Sequence, residues 1–191
     1  MSGSFTTKTI KDSAGSDLTM RVWDESGAGT GPFSFGHVMA GQASTVVDVT
    51  LSLDTGGYAD GDVLADTQSV ASVVRENGGR VELQSVHVLD EDDNGIAFDL
   101  IFLNANTSLG SENSAPDITD SEARDIVGRV SIATGDYIDL GACRIAEKAN
   151  IGLIMQATSA STTLYIAAIT RGGTPTYTAS GIKLKLAFRQ L

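Results

Sequence analysis

The sequence predicts an all-β protein: an antiparallel β-sandwich or jelly-roll-like domain with one short helix and an N-terminal hairpin and arm. Three observations lead there. Ile182, Leu184, Leu186 and Phe188 alternate with Lys183, Lys185, Ala187 and Arg189, the period of a strand with one wet face. Thr45, Val47, Val49, Leu51 and Leu53 alternate in the same way with Val46, Asp48, Thr50, Ser52 and Asp54. Between these two segments short apolar runs recur, punctuated by Gly-, Asn- and Ser-rich turns. Strands with one solvated face pair antiparallel, and many short ones build a sandwich.

Two further strands are expected at the start of the chain, over 5–11 and 17–24, joined across Asp12-Ser13-Ala14-Gly15-Ser16. Ser26-Gly27-Ala28-Gly29-Thr30-Gly31-Pro32 then breaks regular structure. Residues 1–43 therefore read as a hairpin and arm, and 44–191 as the β-sandwich domain. The arm is too small for a core of its own, so Trp23, Phe33 and Phe35 need cover from the main domain or from a partner.

Further strands are expected over 70–75, 80–89, 130–138, 151–157 and 164–170. The run Ile96-Ala97-Phe98-Asp99-Leu100-Ile101-Phe102-Leu103 is apolar on both faces, as in a strand covered on each side by a sheet or a neighbouring subunit. One helix is expected. Thr119-Asp120-Ser121-Glu122 has the form of a capping box, 122–127 has room for a turn or two, and Gly128 supplies the stop.

Composition bounds the function. In 191 residues the chain carries 24 acidic and 13 basic side chains, a net charge of −11, which argues against nucleic acid or an anionic membrane as partner. The charge is uneven: residues 1–44, 45–143 and 144–191 carry −1, −15 and +5. The basic C-terminal segment is expected beside acidic strands, within one subunit or between identical ones. The N-terminus has no basic-then-apolar leader pattern, and no run reaches the roughly 20 apolar residues of a membrane-spanning helix. The lone Cys143 reads as a small buried hydrophobe.

Asp90-Glu91-Asp92-Asp93-Asn94-Gly95 has the opening of a calcium loop, in which alternate oxygen side chains converge on a hard cation. Asp90, Asp92 and Asn94 are thus the calcium candidates. The far end does not match, because the twelfth position is Ile101, where the bidentate Glu belongs. The alternative is a hairpin tip in which Asn94-Gly95 takes positive φ and the acids are solvated. No catalytic residue is assigned and the chain is not expected to be an enzyme. His37 and His87 lack zinc-ligand spacing, there is no nucleophile elbow or phosphate-cradling loop, and Asp60 and Asp62 read as a solvated loop.

The blocks Tyr58-Ala-Asp-Gly-Asp-Val-Leu-Ala-Asp66, Leu89-Asp-Glu-Asp-Asp-Asn-Gly-Ile-Ala-Phe-Asp-Leu-Ile-Phe102, Gly135-Asp-Tyr-Ile-Asp-Leu-Gly141 and Arg171-Gly-Gly-Thr-Pro-Thr-Tyr-Thr-Ala-Ser-Gly-Ile182 together resemble a family of structural proteins of tailed bacteriophages. The opening, Thr7 to Asp12 and Met20 to Asp24, is similar to a short N-terminal module of diverse phage virion proteins. The resemblance implies a virion protein assembled in a bacterial cytoplasm, most simply a capsid decoration or head-fibre protein bound to the major capsid protein, with Trp23, Phe33 and Phe35 as docking anchors. The alternative it leaves open is a tail or baseplate component contacting host-surface glycans. Threefold positions on phage shells, together with the two-faced strand 96–103, give the expectation of a homotrimer.

Overall fold

A computed structural model describes residues 4–11, 17–24 and 43–191. The chain divides into two compact units, Met1–Gly41 and Gln42–Leu191. In the first, β1 (Ser4–Lys11) and β2 (Asp17–Asp24) form an antiparallel pair with Ser4 opposite Asp24 and Lys11 opposite Asp17. Trp23 lies on β2, opposite Phe5. Phe33, Phe35 and His37 lie outside the described residues.

The second unit is built from β3 (Ser44–Thr50), β4 (Val63–Val70), β5 (Arg80–Asp90), β6 (Phe98–Leu103), β7 (Ile126–Ile132), β8 (Tyr137–Asp139), β9 (Arg144–Gln156), β10 (Leu164–Thr170) and β11 (Ile182–Gln190). They form two antiparallel sheets, ordered β4-β10-β6-β7 and β3-β11-β5-β9-β8. Without the three-residue edge strand β8, the pairs β3:β11, β4:β10, β5:β9 and β6:β7 nest inside one another along the chain. That nesting is a long hairpin rolled into two sheets. It resolves the fold as a jelly roll.

Periodicity explains the core. Leu184, Leu186 and Phe188 of β11, Val49 of β3 and the succeeding Leu51 and Leu53 all point inward and are buried, with Phe98, Leu100 and Phe102 of β6 facing them from the other sheet. β6 is buried along its whole length, as its composition predicts. Its outer cover comes from the same chain. The connection 104–121 lies across the outside of the four-stranded sheet and sets Leu109 and Ile118 against Val63, Ile101, Leu103 and Ala167. This strap is fastened by Asp66, whose carboxylate accepts the Leu109 N–H (2.8 Å) and the Ser108 hydroxyl (2.7 Å), and by the Thr67 hydroxyl on the Thr107 carbonyl (2.6 Å).

Four sequence expectations are corrected. The capping box is present: the Thr119 hydroxyl (2.6 Å) and N–H (2.9 Å) both donate to the Glu122 carboxylate and hold it below its usual range, and the Glu122 N–H returns to Thr119 Oγ1 (3.4 Å). It caps only a single 3-10 turn, Glu122–Asp125, because Ile126 already pairs with Leu103. Gly128 is therefore no helix stop; it sits in β7, where a Cβ would collide with the Leu153 side chain.

Residues 71–79 form a turn between β4 and β5, with Val73 and Val74 buried, and the strand precedes them at Val63–Val70. The 130–138 segment is split between the sheets by a 3-10 turn at Thr134–Asp136. Finally, 91–97 crosses from one sheet to the other and is not a hairpin, and its positive φ angles fall on Asp93 (58°) and Gly95 (62°), not on Asn94. No helix among the described residues is long and apolar enough to cross a membrane.

Candidate functional site

Nesting brings the connections β3–β4, β5–β6, β7–β9 and β10–β11 to one end of the roll. These connections hold the four motif blocks, far apart in sequence. They are bound to one another there. The Tyr58 N–H donates to the Pro175 carbonyl (3.0 Å), Gly57 bridges Thr176, and the Tyr58 and Tyr177 rings meet edge to face at 6.1 Å. Asn94 Nδ2 donates to the Thr176 carbonyl (3.0 Å), the Gly172 N–H to Asp60 (2.7 Å), and the Tyr137 hydroxyl to the Ile96 carbonyl (3.2 Å).

The acidic loop is organised by Asp90, the last residue of β5 and fully buried. Its two carboxylate oxygens accept the N–H groups of Asp92 (3.1 Å) and Gly95 (2.7 Å). Burial pushes the Asp90 carboxyl above its ordinary range, against the lowering effect of these backbone donors. Asp92 Oδ2 accepts both the N–H (2.8 Å) and the hydroxyl (3.1 Å) of Thr178, and a Cβ on Gly181 would strike that same oxygen. Asp93 pairs with Arg144 at 2.8 Å.

The carboxylates of Asp90 and Asp92 thus turn to separate protein donors, Asp90 to the N–H groups of its own loop and Asp92 to Thr178. Among the described residues no group of three or more His, Cys, Asp or Glu side chains has the geometry to hold a metal. Asp90, Asp92 and Asn94 fasten loops. The three tyrosines beneath are walled in with them: burial raises Tyr58 to about 12 and Tyr177 and Tyr137 further still.

A second cluster borders this end. Asp99, on the outer face of β6 and 2% exposed, accepts hydrogen bonds from Ser131 Oγ (2.5 Å), Arg171 Nε (2.7 Å) and Arg129 Nη1 (3.3 Å). Burial works against its ionisation. The Ser131 hydroxyl and the Arg171 guanidinium outweigh that cost, and the carboxyl is held below its usual range. Sequence reasoning passed over this hub, although a lone Asp inside a run buried on both faces has to find a cation or donors.

The remaining singled-out residues lie apart. His87 is on the outer face of the five-stranded sheet, between Lys185 and Glu147 in register, beside a shallow groove of about 390 Å³ that the pairs Lys183–Glu91 and Lys185–Asp48 span. Cys143 is half-buried. Asp62 accepts the Ala59 N–H (2.7 Å), while Asp60 binds Gly172, so the two carboxylates close different turns.

No family model and no curated protein matches the chain. Solved structures give weak likenesses. Desmodium yellow mottle tymovirus shares 12% identity over 81% of this chain and 85% of that one, with a TM-score of 0.28. The K3 cleaved adhesin domain of Lys-gingipain from Porphyromonas gingivalis shares 13% over 75% and 73%, with a TM-score of 0.32. At such scores neither bears on family or function.

Proposed function

We propose that the protein is a structural component of a tailed-phage virion, a capsid decoration or head-fibre protein that binds the assembled shell of major capsid protein. The observation that carries this reading is the convergence of the four blocks behind the phage resemblance: separated in sequence, they build a single interlocked end of the jelly roll. Fold alone does not give function, and jelly rolls serve both shells and lectins.

The geometry of the domain suits a tether. Its chain ends meet at the opposite end, where the Gln190 N–H donates to the Ala43 carbonyl (2.8 Å). Residues 1–43 dock on the shell with Trp23, Phe33 and Phe35 as anchors, since a few buried aromatics commonly dominate an interface. The tail reading draws less support from residues 43–191, whose aromatic rings are all buried or half-buried.

Deleting residues 1–43 tests the proposal. Among the described residues the core clusters are built from the second unit. The truncated chain should therefore stay soluble, melt cooperatively and no longer co-sediment with purified shells. A well-folded truncation that still binds shells would refute the docking role of the arm.

A further inference from the structure

Jelly rolls leave sheet edges open, and this one covers the start of its β4 edge. The strap does so: Val63 exchanges backbone hydrogen bonds with Asn113 and Ser114 (2.9 and 2.8 Å). The edge of β3 is treated differently. Leu51 donates to Ile182 of the β11 side, so Val49, Val47 and Thr45 turn their backbone groups toward β11 as well. Ser44, Val46, Asp48 and Thr50 turn theirs outward. Among the described residues only the far end of that outward row is satisfied, by Gln68, whose side-chain amide takes the Ser52 N–H (2.9 Å) and donates to the Thr50 carbonyl (3.1 Å). Among the described residues the rest of the row meets no partner, and Val46 beside it is 64% exposed, more than any other large apolar residue described.

Charge and register select what fits. The outward side chains of this edge are Ser44, Val46, Asp48 and Thr50, with Asp48 tied to Lys185 at 2.6 Å. An antiparallel copy of the same strand centred on Val47 sets Val46 opposite Asp48 of the other chain and Ser44 opposite Thr50. No carboxylate then faces a carboxylate. On the inner side the half-buried Val47 meets its own counterpart, a β-branched cross-strand pair at the symmetry axis. Sliding the register so that Asp48 faces Asp48 brings like charges together and runs Ser44 into the segment that Gln68 already caps.

We propose that β3 is a self-recognition edge, through which two copies of this chain join their five-stranded sheets antiparallel across a twofold axis. The interface is isologous and closes on itself, so it yields a dimer and not a fibre. This is independent of the virion reading. It also differs from the threefold expectation, whose structural motive was the outer face of β6, now covered by the strap.

The test uses the full chain. Val46→Pro removes an outward N–H while leaving every β3–β11 hydrogen bond in place, because Val46 does not donate to β11. Val46→Glu sets a carboxylate opposite Asp48 of the other copy and keeps the backbone. Light scattering of the unaltered protein at tens of micromolar should give twice the 19.8 kDa chain mass. Both variants should fall to the chain mass and keep the melting cooperativity of the parent at low concentration. A monomeric or trimeric parent overturns the proposal, as does a dimer that survives both substitutions. Should the proline variant fail to fold, the glutamate variant alone decides: monomer supports the edge, persistent dimer refutes it.

Discussion

Asp99 shows how much one residue can tie together in this fold. Two guanidiniums and a hydroxyl from two segments, β7 and the connection after β10, meet on a carboxylate that the apolar run around it would otherwise exclude. Because its folded pKa lies below the unfolded value of about 3.9, the stability it contributes is complete above that value and is lost as pH falls through the lower, folded one. Thermal melts below pH 4 should therefore lose stability more steeply in the parent than in Asp99→Asn. Equal acid limbs would show that the hub contributes nothing to acid sensitivity. At neutral pH Asp99→Ala should cost about 2 kcal/mol, since charged hydrogen bonds go but the two arginines stay solvated, being 63% and 46% exposed. Gly95 is the other residue whose identity is fixed. It holds φ of 62°, its N–H serves Asp90, and a Cβ there would press on Arg144 Cδ at 2.6 Å. Gly95→Ala should cost about 1–2 kcal/mol for the left-handed backbone and should detach Arg144 from Asp93, which chemical denaturation and the Arg144 side-chain NMR signals would register.

Elements here depend on partners that their own sequences do not reveal. β4 reads Val-Leu-Ala-Asp-Thr-Gln-Ser-Val, without the alternation that marks β3 and β11. The reason lies in what covers it: Val63, Leu64 and Ala65 are buried on both faces, and Asp66, Thr67 and Gln68 look polar because they fasten the strap and the β3 edge. The strap has little regular structure, and its hold on the outer sheet is mainly apolar. Leu109→Ala should cost about 3 kcal/mol as a buried Leu truncation. Hydrogen exchange should then quicken across 104–121 before it does in β6 or β10. Uniform quickening would mean that the strap opens only with the whole domain.

At the scale of the whole molecule, charge is balanced by topology. Every basic residue of the C-terminal segment pairs with an acid from 45–143: Arg144 with Asp93 and Asp139, Lys148 with Asp136, Arg171 with Asp99, Lys183 with Glu91, Lys185 with Asp48, and Arg189 with Glu82. The asymmetry seen along the chain is thus satisfied within one subunit. Acids still outnumber bases overall, and the pairs are mostly exposed, each worth little and screened by salt. Screening of the net repulsion should win, so the melting temperature should rise between 20 and 500 mM sodium chloride, by roughly a few degrees. A fall would show that the ion pairs outweigh the repulsion.

The sequence by itself determined the all-β class and the strands whose two faces differ, because alternation along β3 and β11 is a local consequence of one wet and one dry side. It also marked β6 as covered on both faces and the capping box at Thr119 and Glu122. Only the tertiary structure decided what those features were for. Nested pairing of strands distant in sequence made the sandwich a jelly roll, gave the outer face of β6 its cover from the strap, and converted a calcium-like sequence into loop fastenings by supplying Thr178, Thr176 and Arg144 as partners. Gly128 looked like a helix stop for the same reason: a glycine's local meaning is the same in a C-cap as in a strand, and the Leu153 side chain that requires it here comes from another sheet.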